Sequence, residues 1–358
     1  MIYKKNFCLF VCVFGFFIVA CHALAAAIPR KHKISIVTGA NGYVGREVVK
    51  ALWDHDTDEK KYTTIFCLVR PARVESETKF WGQLSASSKC IKVLPYDMAD
   101  GGETMTRALE IALQQDDTSE LEGEVCVYHI ASVFGPSGDP VQSAKENVQG
   151  TKDLVQALGN FPNKCRLVLT SSMAAVRGSG QEPLNGRYYT HQDWNTLSKL
   201  DEKNWGSCYQ WSKAESERVA WDMAKELNLP MTSICPSFVF GPPTELIPGE
   251  GGFKLSNSYS ITLVGQWVRG DSPVQSRLFV DIRDVAKAHV AAGNLNRAVG
   301  ERFIVSTEAR VSSEEIAKTL ETVCKETGLG DPAAISFDCK FQGGAIPLEA
   351  GKWKQLLD

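Results

Sequence analysis

The feature that most constrains the fold is a glycine-rich turn between a short apolar segment and an amphipathic one. Ile34–Val37 is typical of a strand, and Gly39, Gly42 and Gly45 follow it where a helix is predicted over Tyr43–Asp54. Glycines at these spacings allow a tight turn, a close approach of backbone to a pyrophosphate, and close packing of helix on strand. The helix N-terminus adds N–H donors for the anion. The turn therefore predicts a dinucleotide-binding unit.

Beyond the turn, short apolar segments alternate with longer segments of helical periodicity. Apolar strands separated by helices are typical of a parallel sheet that is covered on both faces. We therefore predict an α/β fold, a Rossmann-type doubly wound parallel sheet. The further predicted strands are Thr64–Val69, Ile91–Leu94, Val125–Ile130, Arg166–Thr170 and Thr232–Cys235, and the further helices are Glu103–Gln114, Val141–Leu158, Cys208–Leu227 and Val311–Thr327.

The regular alternation ends near residue 240, where glycines and prolines interrupt the chain. Residues 32–240 are predicted to form the nucleotide-binding domain, with a substrate-loop insertion over about 178–205. Residues 241–340, which include a strand-like Arg302–Val305, are predicted to form a smaller C-terminal substrate lobe, and 341–358 a tail. Ligands bind at the carboxyl ends of strands in open α/β sheets, so the lobe would close over that edge.

The first residues form a separate segment. A basic start and an apolar run from Phe7 to Ala20 precede an Ala-x-Ala site at Ala23–Ala25. This pattern is typical of a cleavable signal peptide over residues 1–27, and a membrane anchor through residues 7–28 is the alternative. We expect entry into the secretory pathway, with residence in the endoplasmic reticulum or a plastid reached through it rather than in the cytosol.

Charge and cysteine usage limit the partners. The net charge of −3 gives no reason to expect nucleic acid as a partner, and the sequence leaves the oligomeric state open. The eight cysteines after the N-terminal segment form no Cys-x-x-Cys pair, and no histidine or cysteine cluster has metal-ligand spacing. We expect buried free thiols, no metal site, and a small molecule as the substrate.

The end of the second predicted strand bears on the choice of cofactor. An acidic residue at this place would hold the ribose hydroxyl of NAD, whereas this chain has Arg70, with Arg73 nearby. Guanidinium groups suit the additional phosphate of NADP, so NADP(H) is predicted in preference to NAD(H). Asp97, after the third strand, can accept from the adenine amino group or can form a turn.

The residues for proton transfer lie later in the chain. Tyr209 and Lys213 are four residues apart, on one face of a predicted helix. A phenol has a pKa near 10, and a nearby ammonium is predicted to lower that of Tyr209 so that the pair can exchange a proton with a substrate oxygen. Ser171 and Ser172 end a predicted strand, where a hydroxyl can donate to a carbonyl as negative charge develops.

These motifs together resemble the extended short-chain dehydrogenases/reductases, the NAD-dependent epimerase/dehydratase family. The match runs from about residue 33 to 330. Asp193-Trp194-Asn195, Lys203-Asn204-Trp205 and Ala220-Trp221 are similar to the dihydroflavonol reductase, cinnamoyl-CoA reductase and aldehyde reductase branch. The other matching segments are the Thr38–Gly45 turn, Tyr128–Ala131, Asn147–Thr151, Thr170–Ser172, Tyr209 to Lys213, Pro236–Pro242 and Asp281–His289.

The resemblance implies roles for particular residues. Ser172 would hold the substrate oxygen, with Ser171 as the alternative, Tyr209 would be the acid/base, and Lys213 would modulate it. Ser132, Arg177 and Tyr209 are the candidate substrate contacts. The implied cofactor contacts are Gly39, Asn41, Gly42, Tyr43, Val44, Gly45, Arg70, Asp97, Met98, Ala131, Lys213 and Pro236.

The predicted function is NADP(H)-dependent reduction of an aldehyde or ketone, or the reverse oxidation. The added residues Gly206-Ser207-Cys208 before the tyrosine weigh against a coenzyme A thioester, and Arg177 replaces a substrate-facing asparagine of dihydroflavonol reductases. The alternatives are a nucleotide-sugar epimerase or dehydratase, a 3β-hydroxysteroid dehydrogenase-like enzyme and, last, a non-enzymatic dinucleotide sensor.

Overall fold

The computed structural model describes residues 34–55, 63–84, 89–114, 125–136, 138–242, 258–308, 310–328, 330–337 and 351–356. The predicted signal peptide or anchor within residues 1–28 lies outside these ranges. The strands are β1 Ile34–Thr38, β2 Thr63–Val69, β3 Lys89–Pro95, β4 Val125–His129, β5 Cys165–Thr170, β6 Met231–Pro236, β7 Phe238–Phe240, β8 Phe279–Asp281 and β9 Arg302–Val305. The helices are α1 Tyr43–His55, α2 Val74–Trp81, α3 Glu103–Leu113, α4 Pro140–Gly159, α5 Met173–Val176, α6 Trp205–Glu226, α7 Tyr259–Arg269, α8 Ile282–Asn294, α9 Ser313–Thr327 and α10 Gly351–Lys354.

Seven of the strands form one parallel sheet in the order β3-β2-β1-β4-β5-β6-β9. The strand order reverses direction between β1 and β4, so the segments that follow these two strands lead away to opposite sides and leave a crevice at the carboxyl ends. The predicted Rossmann-type parallel sheet is confirmed. Among the described residues, no helix is long and apolar enough to cross a membrane.

Both faces of the sheet are covered, because successive side chains of a strand point to opposite sides. In β4, Cys126 and Tyr128 pack with α1, α8 and Trp81 on one face. Val125 and Val127 pack with α3, α4 and α6 on the other face. Apolar residues at every position of the strand are therefore buried, which is the pattern from which the sheet was predicted.

The last part of the chain is divided differently from the prediction. β9, predicted within the substrate lobe, pairs with β6 as the seventh strand of the main sheet, and α8 packs on the same sheet. Trp353 and Leu356, in the predicted tail, are buried in that core as well. Local pattern identifies a strand but cannot say which edge it joins, because that pairing depends on contacts distant in sequence.

The small lobe has its own core above the carboxyl ends of the strands. Leu263 and Trp267 of α7 pack against Ile316 and Cys324 of α9. Beside them β7 and β8 pair as a short parallel ribbon. The division into two domains near residue 240 stays a prediction.

Candidate functional site

One cavity of about 1720 Å³ follows the carboxyl ends of the strands from the glycine turn to the small lobe. Every residue predicted for the cofactor, the chemistry or the substrate lines it. The set is Gly39, Asn41, Gly42, Tyr43, Val44, Gly45, Arg70, Asp97, Met98, Ala131, Ser132, Ser172, Arg177, Tyr209, Lys213 and Pro236. The strand-end positions of the sequence motifs are thus brought together by the parallel sheet.

The backbone around Gly39 and Gly45 leaves little or no room for a Cβ atom at these positions. Gly39 has φ +65°, and a Cβ there would lie 3.1 Å from Ala131 at the end of β4. A Cβ at Gly45 would lie 2.1 Å from the carbonyl oxygen of Gly39. Gly42 N donates to that same carbonyl at 2.9 Å, which closes the turn. Backbone therefore surrounds an open cradle at the start of α1, which suits a pyrophosphate.

Replacing Gly45 with Ala should disrupt this cradle. The methyl group overlaps backbone rather than a movable side chain, so the turn must open, at a cost of about 1–3 kcal/mol in the free energy of unfolding. Affinity for NADPH should fall as well. Gly82→Ala is the matched control, because a Cβ there meets nothing within 4 Å. Urea unfolding and NADPH fluorescence titration would measure both effects, and equal behaviour of the two variants would contradict this account.

A buried hydrogen-bond cluster fixes the turn to β4. Thr38 Oγ1 accepts from the backbone N of Ile130 at 3.0 Å and of Ala131 at 3.1 Å. Its proton is then left for His129 Nδ1, 2.9 Å away. Burial, with repulsion from Lys213, lowers the pKa of His129 to about 3, so the ring is neutral. His129 is therefore a satisfied core residue that positions two strand ends.

The end of β2 presents cations to the cavity. Arg70 and Arg73 both line it, and Arg70 is exposed. Glu77 lies nearby, but both its oxygens accept from Arg46 Nη2, at 2.9 and 3.0 Å. Asp97 lines the cavity beyond β3, where Ala99 N donates to its Oδ1 at 2.9 Å. An anionic group beside Arg70 would therefore meet a guanidinium that no described carboxylate pairs with.

Sequence reasoning missed the support that Arg46 gives to the turn. Arg46 follows the last glycine, is buried, and stacks 4.2 Å from the ring centre of Phe80 while it pairs with Glu77. The pair joins α1 to α2, a helix that was not predicted. The only signal in the sequence was a charged residue on the buried side of an amphipathic helix.

Ser172, Tyr209 and Lys213 meet beyond the end of β5. Ser172 caps α5, where its Oγ accepts from Ala174 N at 3.1 Å and keeps its own proton free to donate. Tyr209, on α6, lies beside it and is half-buried. Lys213 Nζ, one turn further along α6, donates to the carbonyl oxygen of Thr170 at 3.2 Å. Three candidate groups from two elements therefore face one point of the cavity.

The prediction that a nearby ammonium lowers the pKa of Tyr209 is wrong. Burial raises the pKa of Tyr209, and the neighbouring Ser172 hydroxyl only partly opposes that shift. Lys213 is directed at Thr170 instead, and burial lowers its own pKa to about 8 against the opposing effects of Cys235 and Glu217. The phenol is thus held neutral, which suits a proton donor better than a base.

Aromatic rings account for much of that burial. Trp205 stacks on Tyr209 with ring centres 5.7 Å apart, and Phe134 lies edge-on at 4.6 Å. Tyr259 of the lobe contacts both Phe134 and Trp205. Phe134 remains 47% exposed, so the cluster leaves an apolar wall open beside the phenol. This wall can pack against an apolar part of a substrate.

The two adjacent serines have different surroundings. Ser171 is buried and donates to Glu217 Oε2 at 2.7 Å, so it points behind the cavity wall. Glu217 also pairs with Arg302 of β9, with Nε to Oε1 at 2.8 Å. Ser172 is therefore the serine whose hydroxyl faces the open space. The Glu217–Arg302 pair was not predicted, because its partners are 85 positions apart in the chain.

Ser132 and Arg177, the two remaining candidates for substrate contact, differ in whether their side chains already make hydrogen bonds. Ser132 Oγ donates to Asn147 Oδ1 at 3.2 Å, so its hydroxyl is already engaged. The guanidinium of Arg177 makes a ring contact with Tyr189 at 5.6 Å, and its side chain has no hydrogen bond among the described residues. Of the two, Arg177 retains its donors for a ligand. In the described ranges no group of three or more histidine, cysteine or acidic side chains could hold a metal ion.

Comparison with known proteins gives a consistent result. The NAD-binding family model described as Male sterility protein matches residues 37–270. An oxidoreductase of Schizosaccharomyces pombe is 30% identical over 230 residues, 60% of this chain and 66% of that protein. The match to an oxidoreductase of Saccharomyces cerevisiae spans only 51% of its length.

Two further likenesses cover more of the chain. Cinnamoyl-CoA reductase 1 of Arabidopsis thaliana is 27% identical over 289 residues, 79% of this chain and 73% of that protein. The crystal structure of yeast methylglyoxal/isovaleraldehyde reductase in complex with NADPH has a TM-score of 0.73 at 23% identity and covers 90% of this chain and 92% of that one. At that identity the structural likeness bears on the fold alone.

Proposed function

This chain belongs to the NAD-binding family described as Male sterility protein, within the extended short-chain dehydrogenases/reductases, and we propose that it is an NADPH-dependent reductase of aldehydes or ketones. The relatives that support this activity are reductases, among them an NADPH-dependent methylglyoxal reductase and a cinnamoyl-CoA reductase. The same protein could run the reverse oxidation, since a reductase lowers the barrier in both directions.

The observation that carries the proposal is the convergence of Ser172 and Tyr209 in the cavity that also contains the glycine turn. A dinucleotide site alone would fit a sensor as well as an enzyme. A free hydroxyl proton and a neutral phenol at the same point are what a carbonyl oxygen needs as it becomes an alkoxide. This pairing favours carbonyl reduction over simple binding.

The chain's own residues would bind and orient both reactants. NADPH, when bound, supplies the hydride. The residues proposed to hold it are Gly39, Asn41, Gly42, Tyr43, Val44, Gly45, Arg70, Asp97, Met98, Ala131, Lys213 and Pro236. The glycine turn would receive the pyrophosphate, the Arg70 guanidinium would receive the ribose phosphate, and Lys213 would hold the nicotinamide ribose.

Proton transfer then follows from the geometry beyond β5. The Ser172 hydroxyl donates a hydrogen bond to the carbonyl oxygen, which polarises the carbonyl group. As negative charge develops on that oxygen during reduction, Tyr209 would give it the phenolic proton. The rings of Trp205 and Phe134 pack against the Tyr209 phenol and limit its contact with water. Lys213, one helical turn away, would add positive charge near the phenolate that is left behind.

An NADPH-oxidation screen with the purified protein tests this proposal. The panel should contain aliphatic and aromatic aldehydes, dihydroflavonols, hydroxycinnamoyl thioesters and keto-steroids. We expect turnover of at least one aldehyde with NADPH consumed in equal amount. If no carbonyl compound were reduced while a nucleotide sugar was converted with no net consumption of NADPH, an epimerase would replace the proposed reductase.

Replacing Arg70 with Asp should reverse the cofactor preference. Arg70 is exposed at the end of β2, where a carboxylate would repel the phosphate of NADPH and accept the ribose hydroxyls of NADH. We expect the ratio of kcat/KM for NADPH to that for NADH to fall by about tenfold to a hundredfold, the value of one charge-assisted hydrogen bond. Arg107→Asp, on the exposed side of α3, should leave the ratio unchanged. An unaltered ratio in the Arg70 variant would refute this role.

A further inference from the structure

Three arginines lie together at the lobe end of the cavity, although they come from distant parts of the chain. Arg177 follows α5, Arg277 precedes β8, and Arg310 follows β9, and all three line the cavity that contains Tyr209. Arg277 pairs with Val311 in an antiparallel bridge, which brings Arg310 alongside. Arg177 and Arg310 both act electrostatically on Tyr189. The fold thus concentrates three cations on one wall.

No described carboxylate forms an ion pair with these arginines, although Glu182 and Asp193 act electrostatically on Tyr189 as Arg177 and Arg310 do. Arg310 Nη1 donates to the carbonyl oxygen of Ser276 at 3.0 Å, and Arg277 Nη2 donates to the side chain of Gln275. Arg177 makes only its ring contact with Tyr189. The described carboxylates that line the cavity lie at its other end, near β2, β3 and α4, and are Glu77, Asp97, Glu146 and Asp153.

Burial makes the uncompensated charge costly. Burial lowers the pKa of Arg310, and repulsion from Arg177 and Arg277 lowers it further. Burial lowers the pKa of Arg277 too, and its buried Nε has no hydrogen-bond partner among the described residues. A desolvated cation with an unmet donor is unfavourable unless a ligand supplies the missing acceptor. The wall therefore fits an anion better than it fits an apolar group.

We propose that Arg177, Arg277 and Arg310 bind a carboxylate or phosphate group carried by the carbonyl substrate. This inference rests on the proposed reductase function, because it places the anion in the same cavity as Ser172 and Tyr209. Guanidinium groups present paired donors that match the oxygens of both anions. The substrate class is then an aldehyde or ketone whose carbonyl enters beside Tyr209 while its anionic end reaches the arginines, across the wall formed by Phe134.

Kinetics with matched substrates would test the site. Para-carboxybenzaldehyde is compared with its uncharged methyl ester, and glyceraldehyde phosphate with glyceraldehyde, so that the two pairs distinguish a carboxylate from a phosphate. We expect kcat/KM for the charged member of one pair to exceed that of its neutral partner by about tenfold to a hundredfold, the value of one charge-assisted hydrogen bond. A charged-to-neutral ratio at or below one in both pairs would overturn the proposal.

Variants assign the preference to the arginines. Arg177→Met should lower the charged-to-neutral ratio of kcat/KM by about tenfold or more. The substitution deletes side-chain donors that have no other hydrogen bond among the described residues. Arg177→Lys keeps the positive charge but not the paired N–H donors of the guanidinium, and should restore part of the charged-to-neutral ratio. Arg187→Met is the control, since Arg187 is exposed in the same loop region and does not line the cavity. A preference that survived both Arg177→Met and Arg277→Met would also overturn the proposal.

A binding measurement separates failure of this site from failure of the proposed function. Calorimetric titration with benzoate and with inorganic phosphate requires no turnover. One of these anions could bind to wild type and not to Arg177→Met while no aldehyde is reduced. That result would support the anion site and contradict the reductase function. Reduction of neutral aldehydes, with no anion binding that depends on the arginines, would support the reductase function and contradict the anion site.

Discussion

Replacing Tyr209 with Phe should lower kcat by about 100-fold to 10,000-fold, which is the contribution of a positioned proton donor. The substitution removes one oxygen and leaves the ring packed between Trp205 and Phe134. Affinity for NADPH and the free energy of unfolding should therefore change little. Steady-state NADPH oxidation with the best aldehyde, together with NADPH fluorescence titration, would separate loss of chemistry from loss of binding.

Tyr259→Phe is the matched control for that experiment. Tyr259 belongs to the same aromatic cluster and lines the same cavity, but it lies on the lobe rather than beside Ser172. Its variant should keep kcat within severalfold of wild type. Because burial raises the pKa of Tyr209, the neutral phenol persists above neutral pH, and reduction should not require an acidic medium. Full turnover by Tyr209→Phe would remove the tyrosine from the mechanism.

Replacing Arg302 with Met should lower the free energy of unfolding by about 3–5 kcal/mol, the cost of leaving a buried charge without its partner. Glu217 is fully buried and loses a Nε to Oε1 ion pair of 2.8 Å, keeping Ser171, Trp221, Ser233 and Cys235 as hydrogen-bond neighbours. The pair joins α6, which contains Tyr209 and Lys213, to the edge strand β9. Urea unfolding followed by circular dichroism would measure the loss.

Two comparisons make the interpretation specific. Glu217→Met combined with Arg302→Met should be more stable than either single variant, because the double replacement leaves no unpaired charge. Glu314→Gln breaks an exposed ion pair of the same 2.8 Å length and should leave the free energy of unfolding nearly unchanged. A double variant less stable than both single variants would show that the pair stabilises by more than mutual charge compensation.

The same pair predicts a pH dependence. Burial raises the pKa of Glu217, but Arg302 and the serine hydroxyls outweigh it, so the folded pKa lies below the ordinary value of 4.5. A depressed carboxyl pKa contributes stability above the unfolded pKa and loses it as pH falls through the folded pKa. Wild type should therefore lose this contribution only in acid. The deficit of Arg302→Met should be largest near neutral pH and shrink as Glu217 becomes protonated.

Much of the fold followed from local pattern. The glycines at 39, 42 and 45 have steric reasons that act within one turn, and the Cβ overlap at Gly45 bears these out. The apolar strands were identified because a sheet buried on both faces needs apolar residues at every position. The helices α2, α5, α7, α8 and α10 were missed. The helix α8 packs on the sheet, whereas α7 packs in the core of the small lobe.

The sequence predicted which residues belong to the candidate site, but not how their surroundings shift their pKa values. Spacing of four residues on a helix was enough to place Tyr209 and Lys213 on one face, and the strand-end position was enough to place Ser172 nearby. Spacing could not show that Lys213 donates to Thr170, or that aromatic rings from three elements surround the phenol. The direction of the Tyr209 pKa shift was wrong for that reason, because burial is a property of the whole fold.

The sequence by itself determined the sheet, the dinucleotide turn and the residue types at the strand ends, since each depends on neighbours within a few positions. Only the tertiary structure decided which of Ser171 and Ser172 faces the cavity, because Glu217 engages the first. It also decided that three arginines scattered over more than 130 positions, from Arg177 to Arg310, share one wall. Contacts of that separation arise from chain folding, and no local period encodes them.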